Sequence, residues 1–444
     1  MKEPGGTAGS LEESRQDLDK QALAAASRDV RPCTPSPSDE LRVIREWDGD
    51  ACRLAVVNDG LDPVCVKEVA AFIAPMPYAA DTPFYGEGYN MLSQYEGTLA
   101  EFGSITRLTD AKHYKFPQTE GFSTVYNLLV LYPENETVVL GFSSCRRFRG
   151  ELRFNTEAIE IVVCCEGVEL CAGETLELEE VFVAGGTDRE ELLAAFGRRI
   201  ESNHPRLPVR EIPTGWCSWY CYGDSLTEDD LFENLAVMEK HHPDLRFIQL
   251  DAGYQKWMGD WLTPHPNFPN GIQSLCHRIK DAGFEPALWV APFIAEEQSE
   301  VLRDHPEWFI QNDQGKPLCS ADVTFGGWRW APWYMFDGTH PGAQDYIRHV
   351  FRTMREEWGC RYFKLDANNW GAMPWGHRYD PKATSIDAYR AGMQALLEGA
   401  GEDAFVLGSN APMWPSIGAL HGMRVSNDVS RRWETFQGRA QESF

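Results

Sequence analysis

Two acidic residues stand where short apolar runs end, and their neighbours make them candidates for chemistry. In RYFKLD, Phe363 and Leu365 alternate with Lys364 and Asp366. Successive side chains of a strand point to opposite faces, so Lys364 and Asp366 share one face, a rung apart. A lysine so placed holds a carboxylate ionised by charge attraction. A structural salt bridge closing a strand-lined interior is the equal alternative. In GMRVSND, Arg424, Ser426 and Asp428 alternate onto one face in the same way. One carboxylate kept ionised and another able to donate a proton is the minimum equipment for hydrolysing a glycosidic bond. Carboxyl groups roughly 5–5.5 Å apart give retention through a covalent ester, and roughly 6.5–9.5 Å gives inversion. A third acid, Asp251, ends the run RFIQLD.

These acids need a scaffold that gathers strand ends. From residue 210 onward PTGWCSWY, RFIQLD, PALWVAP, CRYFKLD, AFVLG and MRVSND read as short strands. Amphipathic helices separate them: LTEDDLFENLAVMEKHH, GIQSLCHRIKDAG, HPGAQDYIRHVFRTMREEWG and TSIDAYRAGMQALLEGAG. Gly283 and Gly359 fall where helix C-caps are expected. Strand–helix alternation implies a parallel sheet, either doubly wound or closed as a (β/α)8 TIM barrel. The barrel is favoured, because it brings the ends that carry Asp251, Asp366 and Asp428 to one face. Neither GxGxxG nor GK[ST] follows any strand, so no phosphate loop is predicted.

Upstream the texture differs. Residues 1–38 are polar and end in PCTPSPSDE, the composition of a disordered tail. Residues 39–186 alternate strand-like runs such as CRLAVVND, TVVLGFSS and AIEIVVCC with turn clusters, predicting an N-terminal β-sandwich domain. Thr187-x-x-Glu190 reads as a capping box opening a linker helix within 187–209. Residues 210–444 then form the candidate catalytic domain.

Composition narrows the function classes. With 67 acidic and 41 basic residues the formal charge is −26, which argues against a nucleic-acid partner. It suits a neutral or cationic ligand, or simply a solvated acidic surface. Fifteen Trp, most of them between Trp216 and Trp333, suit sugar stacking and a large core equally. Many of the 12 Cys lie in apolar runs and read as free thiols of a reducing compartment. Cys217 and Cys221 lack a second Cys/His pair at zinc spacing, so no metal is expected. No signal-peptide core and no run of about 18 apolar residues occurs, so a cytoplasmic protein without membrane attachment is expected.

From Gly215 to about Trp433 the segments GWCSWYCYG, FIQLDAGYQKWMGDW, HPNFPNG, GFEPALWVAPF, HPEWF, RYFKLD, VLG and GMRVSND follow in order. Together they resemble the melibiase-like α-galactosidases of glycoside hydrolase family 36, in clan D. GEGYNMLSQYEGTL is a weaker likeness in the N-terminal region. The resemblance implies a retaining hydrolase that releases terminal α-linked galactose from oligosaccharides by double displacement, without cofactor. It implies Asp366 as nucleophile and Asp428 as general acid/base. Lys364 and Arg424 would bond sugar hydroxyls near the reacting carbon. Asp251 would grip the far side of the ring, and Trp219 and Trp289 would form aromatic walls. A homo-oligomer is the family's habit in its full-length form.

Three departures bear on specificity. Where relatives often carry paired Asp residues, this chain has Asp251-Ala252. A lost charged hydrogen bond costs roughly 1.5–3 kcal/mol, which loosens selectivity for the axial O4 of galactose. GSNAPMWP replaces a segment that often holds a Cys, and Asn410 there either reads O2 or a 2-substituent or merely folds its loop. Six predicted strands precede Phe444, so a C-terminally truncated barrel with about six of eight strands is expected. The alternatives that follow are an α-N-acetylgalactosaminidase, an α-galactosyl transferase, or an inactive sugar-binding fragment.

Overall fold

β-Branched and aromatic residues at alternate positions favour pleated strands buried on one face, and the N-terminal region consists of such strands. In this computed structural model, residues 23, 25–33, 40–106, 108–209, 211–430 and 432–442 are described. One antiparallel sheet has five strands, in the order Ser27–Pro32, Val64–Pro75, Ala158–Leu170, Arg149–Phe154 and Ser123–Tyr126. A second, nine-stranded antiparallel sheet centres on Thr137–Phe142 and Val181–Gly186. Val66, Phe72, Ile161 and Val163 of the first sheet share one core with Leu54, Val56, Leu129 and Leu140 of the second.

The expected tail over 1–38 needs correction. Ser27–Pro32 is an edge strand paired antiparallel with Val64–Pro75, while 1–22 and 34–39 lie outside the described residues. Charge pairing, rather than apolar periodicity, fastens this polar strand. Arg31 donates to Glu68 at 2.9 Å and to Glu160 at 2.8 Å.

The expected linker helix spans Arg189–Asn203, but its cap is Asp188, whose side chain accepts from the Glu191 N–H. Thr187 is one residue too early. Phe196, the one buried residue of this helix, packs between Phe182 of the N-terminal region and Trp414 of the C-terminal region.

The C-terminal region holds six parallel strands in chain order: Gly215–Cys217, Phe247–Leu250, Glu285–Val290, Tyr362–Leu365, Phe405–Gly408 and Gly422–Met423. They form a curled half-barrel. Phe247–Leu250 is buried at every position, as a strand covered on both faces must be. Helices Glu228–His241, Ile272–Asp281, Pro341–Glu356 and Ser385–Ala400 alternate with the strands, as the periodicity predicts. Capping boxes start two of them, Thr227 with Asp230 and Thr384 with Asp387. Gly283 and Gly359 have φ of 89° and 77° just beyond helix ends, where a residue without Cβ is unstrained. The sixth strand is shorter than MRVSND suggests. Only Gly422 and Met423 find register with Leu407 and Gly408, so Arg424 through Asp428 continue as a loop rather than as alternating strand positions.

Among the described residues no helix is long and apolar enough to cross a membrane, and no cluster of His, Cys, Asp or Glu could hold a metal ion.

Candidate active site

A cavity of about 330 Å³ opens at the C-terminal ends of the parallel strands. Topology alone brings its walls together. Trp219 follows the first strand, Asp251 the second, and Trp289 lies in the third. Lys364 and Asp366 end the fourth, Asn410 follows the fifth, and Arg424 and Asp428 follow the sixth. All eight residues singled out in the sequence line this one cavity.

Asp366 is the most firmly held of the acids. The Trp289 indole N–H donates to Oδ2 at 3.0 Å. The Asn410 side-chain amide and the Ala367 backbone N–H both donate to Oδ1. Three donors fix the orientation of the carboxylate. The backbone on both sides of it is unusual, since Ala367 in its own turn and Asn410 in the loop after the fifth strand have φ of 53° and 44°. L-residues adopt that left-handed region at a cost of about 1–2 kcal/mol each, and such strain gathers at functional sites. Trp289 therefore does more than form an aromatic wall: its polar edge fixes the orientation of Asp366.

Lys364 pairs with an acid other than its strand neighbour Asp366. Its ammonium donates to Asp251 Oδ2 at 2.8 Å, and the pair is nearly buried. Burial works against the ammonium charge, but attraction to Asp251, and then to Asp366, holds Lys364 above the ordinary lysine range. Its direct partner is thus Asp251, with Asp366 acting through space. Asp251 is held from two sides, because Gln249 Nε2 also donates to Oδ2 and the Ala252 N–H to Oδ1.

Asp428 stands in contrast. It lies on the loop after the sixth strand, half exposed, and accepts from Arg424 Nη1 at 2.6 Å. Arg424 Nε is buried and meets no acceptor among the described residues. Asn410 Oδ1 is likewise buried and unpartnered, although Asn410 retains only 7% exposure. An orphaned acceptor beside Asp366 is costly to keep unless a ligand donor meets it.

Sequence reasoning missed two walls. Leu92 and Leu108 reach the cavity from the N-terminal region. The segment before and around Leu92 docks on the loop after the fifth strand: Met91 N–H donates to Ala411 O at 3.2 Å, Met413 N–H to Tyr89 O at 2.9 Å, and Asn410 N–H points at Met91 Sδ. Behind this segment, the buried Asp110 carboxylate accepts from Tyr89 N–H, Tyr95 O–H and the Asn90 amide. GEGYNMLSQYEGTL was the one sequence signal for it. The other wall is Trp328-Arg329-Trp330. Arg329 stacks 5.3 Å over Trp219 and pairs with Asp224 at 2.6 Å. Its signal was the density of Trp.

Comparison with known proteins agrees with this architecture. The melibiase family model matches residues 250–398, the stretch from the end of the second strand through the helix after Asp366. Among curated proteins the chain is similar to the myogenesis-regulating glycosidase of Mus musculus, at 24% identity over 249 residues, covering 50% of this chain and 33% of that protein. It is also similar to an α-galactosidase of Escherichia coli, at 28% identity over 130 residues, covering 28% of this chain and 17% of that protein. The chain thus spans a third or less of the length of these curated relatives. Among solved structures it resembles an α-galactosidase from Thermus thermophilus in complex with p-nitrophenyl α-D-galactopyranoside. There the TM-score is 0.65 at 24% identity, over 90% of this chain and 78% of that one. That last likeness is one of fold. The melibiase resemblance read from the motifs is borne out.

Proposed function

We propose that this chain is the catalytic part of a retaining α-glycosidase acting on terminal α-linked galactose, built on a TIM barrel of which six strands are present here. The observation that carries this is the meeting, in one cavity at the strand ends, of a triply bonded Asp366 and a loop-borne Asp428. Asp366 attacks the anomeric carbon while Asp428 gives its proton to the departing oxygen. Water then enters on the same face, Asp428 takes its proton, and the Asp366 ester is released. Lys364, Asp251 and Arg424 bond ring hydroxyls, Trp219 and Trp289 wall the ring, and Asn410 reads the group next to the reacting carbon.

The test is turnover of an aryl α-galactoside followed by proton NMR. α-Galactose as the first product supports double displacement, and β-galactose appearing first sinks it. Stabilisation by galactose without any turnover would leave a sugar-binding protein instead.

A second reading concerns the sugar. Asn410 Oδ1 lacks a donor, and Ala252 stands beside the occupied Asp251. The unpaired Asn410 oxygen suits a sugar with an N–H at carbon 2, as in α-N-acetylgalactosamine, while Ala252 bears on O4, which both sugars carry axially. Parallel assays with aryl α-galactoside and aryl α-N-acetylgalactosaminide decide between them. An added sugar acceptor tests for galactosyl transfer in the same experiment.

A further inference from the structure

Two pairs of cysteines bring their sulfurs together in this chain, in opposite surroundings. Cys276 and Cys360 face each other at 3.9 Å, both fully buried in the core of the C-terminal region. Cys33 and Cys65 lie at the outer face of the N-terminal region, the first exposed and the second part-buried.

Cys33 directly follows the edge strand Ser27–Pro32. Its backbone N–H donates to the Cys65 carbonyl at 2.9 Å, so it extends the pairing of that strand with Val64–Pro75 by one more rung. Directly opposed residues of an antiparallel pair place their Cβ atoms about 4.5–5.5 Å apart on the same face, so a disulfide, with Cβ atoms about 3.5–4.5 Å apart, needs the two strands to draw slightly closer. Here the two sulfurs touch. The position beside them on the next strand is Gly167, with φ of 85°, and a Cβ there would stand 3.4 Å from both sulfurs. Gly167 itself places no side chain over the two thiols.

We propose that Cys33 and Cys65 form a thiol–disulfide modification site that ties the N-terminal edge strand to its sheet when a small disulfide of the glutathione type is present. The exposed Cys33 thiolate attacks one sulfur of the oxidant and displaces the first thiol, leaving a mixed disulfide on Cys33. Cys65 gives its proton to that departing thiolate and attacks Cys33 Sγ. The second small thiol leaves and is protonated from solvent, which received the Cys33 proton. Two protein thiols are oxidised and one small disulfide is reduced to two thiols, so electrons and protons balance. Burial, and then the neighbouring Cys33, push the Cys65 thiol up to about 11, which makes Cys33 the first attacker. Closing the loop between residues 33 and 65 restricts the unfolded chain and pins a strand that otherwise holds by one edge.

The experiment treats the reduced, folded chain with oxidised glutathione, blocks remaining thiols with N-ethylmaleimide, and maps linked peptides by mass spectrometry. A Cys33–Cys65 cross-link that dithiothreitol reverses is the expected result, with Cys276 and Cys360 unmodified until the chain is unfolded. Backbone amides of 27–31 should then exchange about tenfold more slowly in the oxidised form, and Cys33→Ser should abolish both effects. Free thiols at both positions, or glutathione left on Cys33 with Cys65 unreacted, overturns the proposal. So does a cross-link that involves a different pair.

Discussion

Asp366 and Asp428 line the same cavity, but their supports differ in kind. Asp366 leaves a buried parallel strand and meets donors from the third strand, the fifth-strand loop and its own turn. Asp428 sits half exposed on a loop, held by an arginine four residues away. A group that must attack one carbon along one line gains from fixed orientation. A group that first gives and later takes a proton has to serve two positions of the departing and entering oxygen. The difference suits the two proposed roles, nucleophile and acid/base, and it is open to attack from either side.

The largest expected effect comes from the rigid side. Asp366→Asn should lower kcat by about 10⁴-fold or more with every leaving group, because no other residue replaces the attacking oxygen. In kcat/KM, which reports only the steps through the first bond cleavage, Asp428→Asn should cost about 10²–10⁴-fold on alkyl glycosides, but far less on a nitrophenyl glycoside, whose leaving group departs without a proton. Steady-state kinetics on both substrate types separates them. Equal losses on the two substrates for Asp428→Asn would end its assignment as the acid.

A third carboxyl, from the N-terminal region, bears on both supports. Asp110 anchors the segment that carries Met91 to Asn410 and Leu92 to the cavity. Burial raises its pKa from 3.8 to about 7. The folded chain then binds this proton more tightly than the unfolded chain. The associated stability is full below about pH 4 and is lost as pH rises through 7, on the order of 4 kcal/mol in all. Buried Glu87, also raised to about 7, acts in the same direction. His204, pushed down to about 4 by burial, opposes them between about pH 4 and 6.5. Asp110→Asn removes one titration and leaves the other two. The wild-type stability in urea should therefore decline more steeply from pH 4 to 7 than that of the variant. Parallel curves would mean that Asp110 does not carry a raised pKa.

Much of the rigid side was legible in the sequence, because it depends on local alternation. Phe363 through Asp366 reads as a strand, and strand it is up to Leu365. What the pattern could not supply was the partner of Lys364. Asp251 lies two strands away, and that distance is closed by sheet order, not by spacing. On the Asp428 side the pattern misled. RVSND alternates like a strand, yet register with the fifth strand ends at Met423, and without a ladder the backbone turns away. The polar run SRDVRP erred in the opposite direction. It has little apolar periodicity and folds through backbone pairing and the Arg31 ion pairs. Leu92 and Leu108 were invisible for a third reason, since their place in the cavity depends on how two regions dock.

The smallest effect tests that docking at the Asp428 loop. Gln94 Nε2 donates to Met91 O at 2.8 Å and, at 3.4 Å, to Val425 O in the loop between Arg424 and Asp428. Gln94 thus ties the N-terminal region to that loop. Gln94→Met keeps the length of the side chain and removes both donations. Each neutral hydrogen bond is worth about 0.5–1.5 kcal/mol, and the longer one contributes least, so kcat/KM on alkyl glycosides should fall about two- to tenfold. The kcat/KM of a nitrophenyl glycoside should stay unchanged, because the loop would then misplace the proton donor of the first step while Asp366 keeps its three partners. An equal loss on both substrates would place the action of Gln94 on the Met91–Asn410–Asp366 side instead, and would dissolve the division between a rigid nucleophile and an independently supported acid.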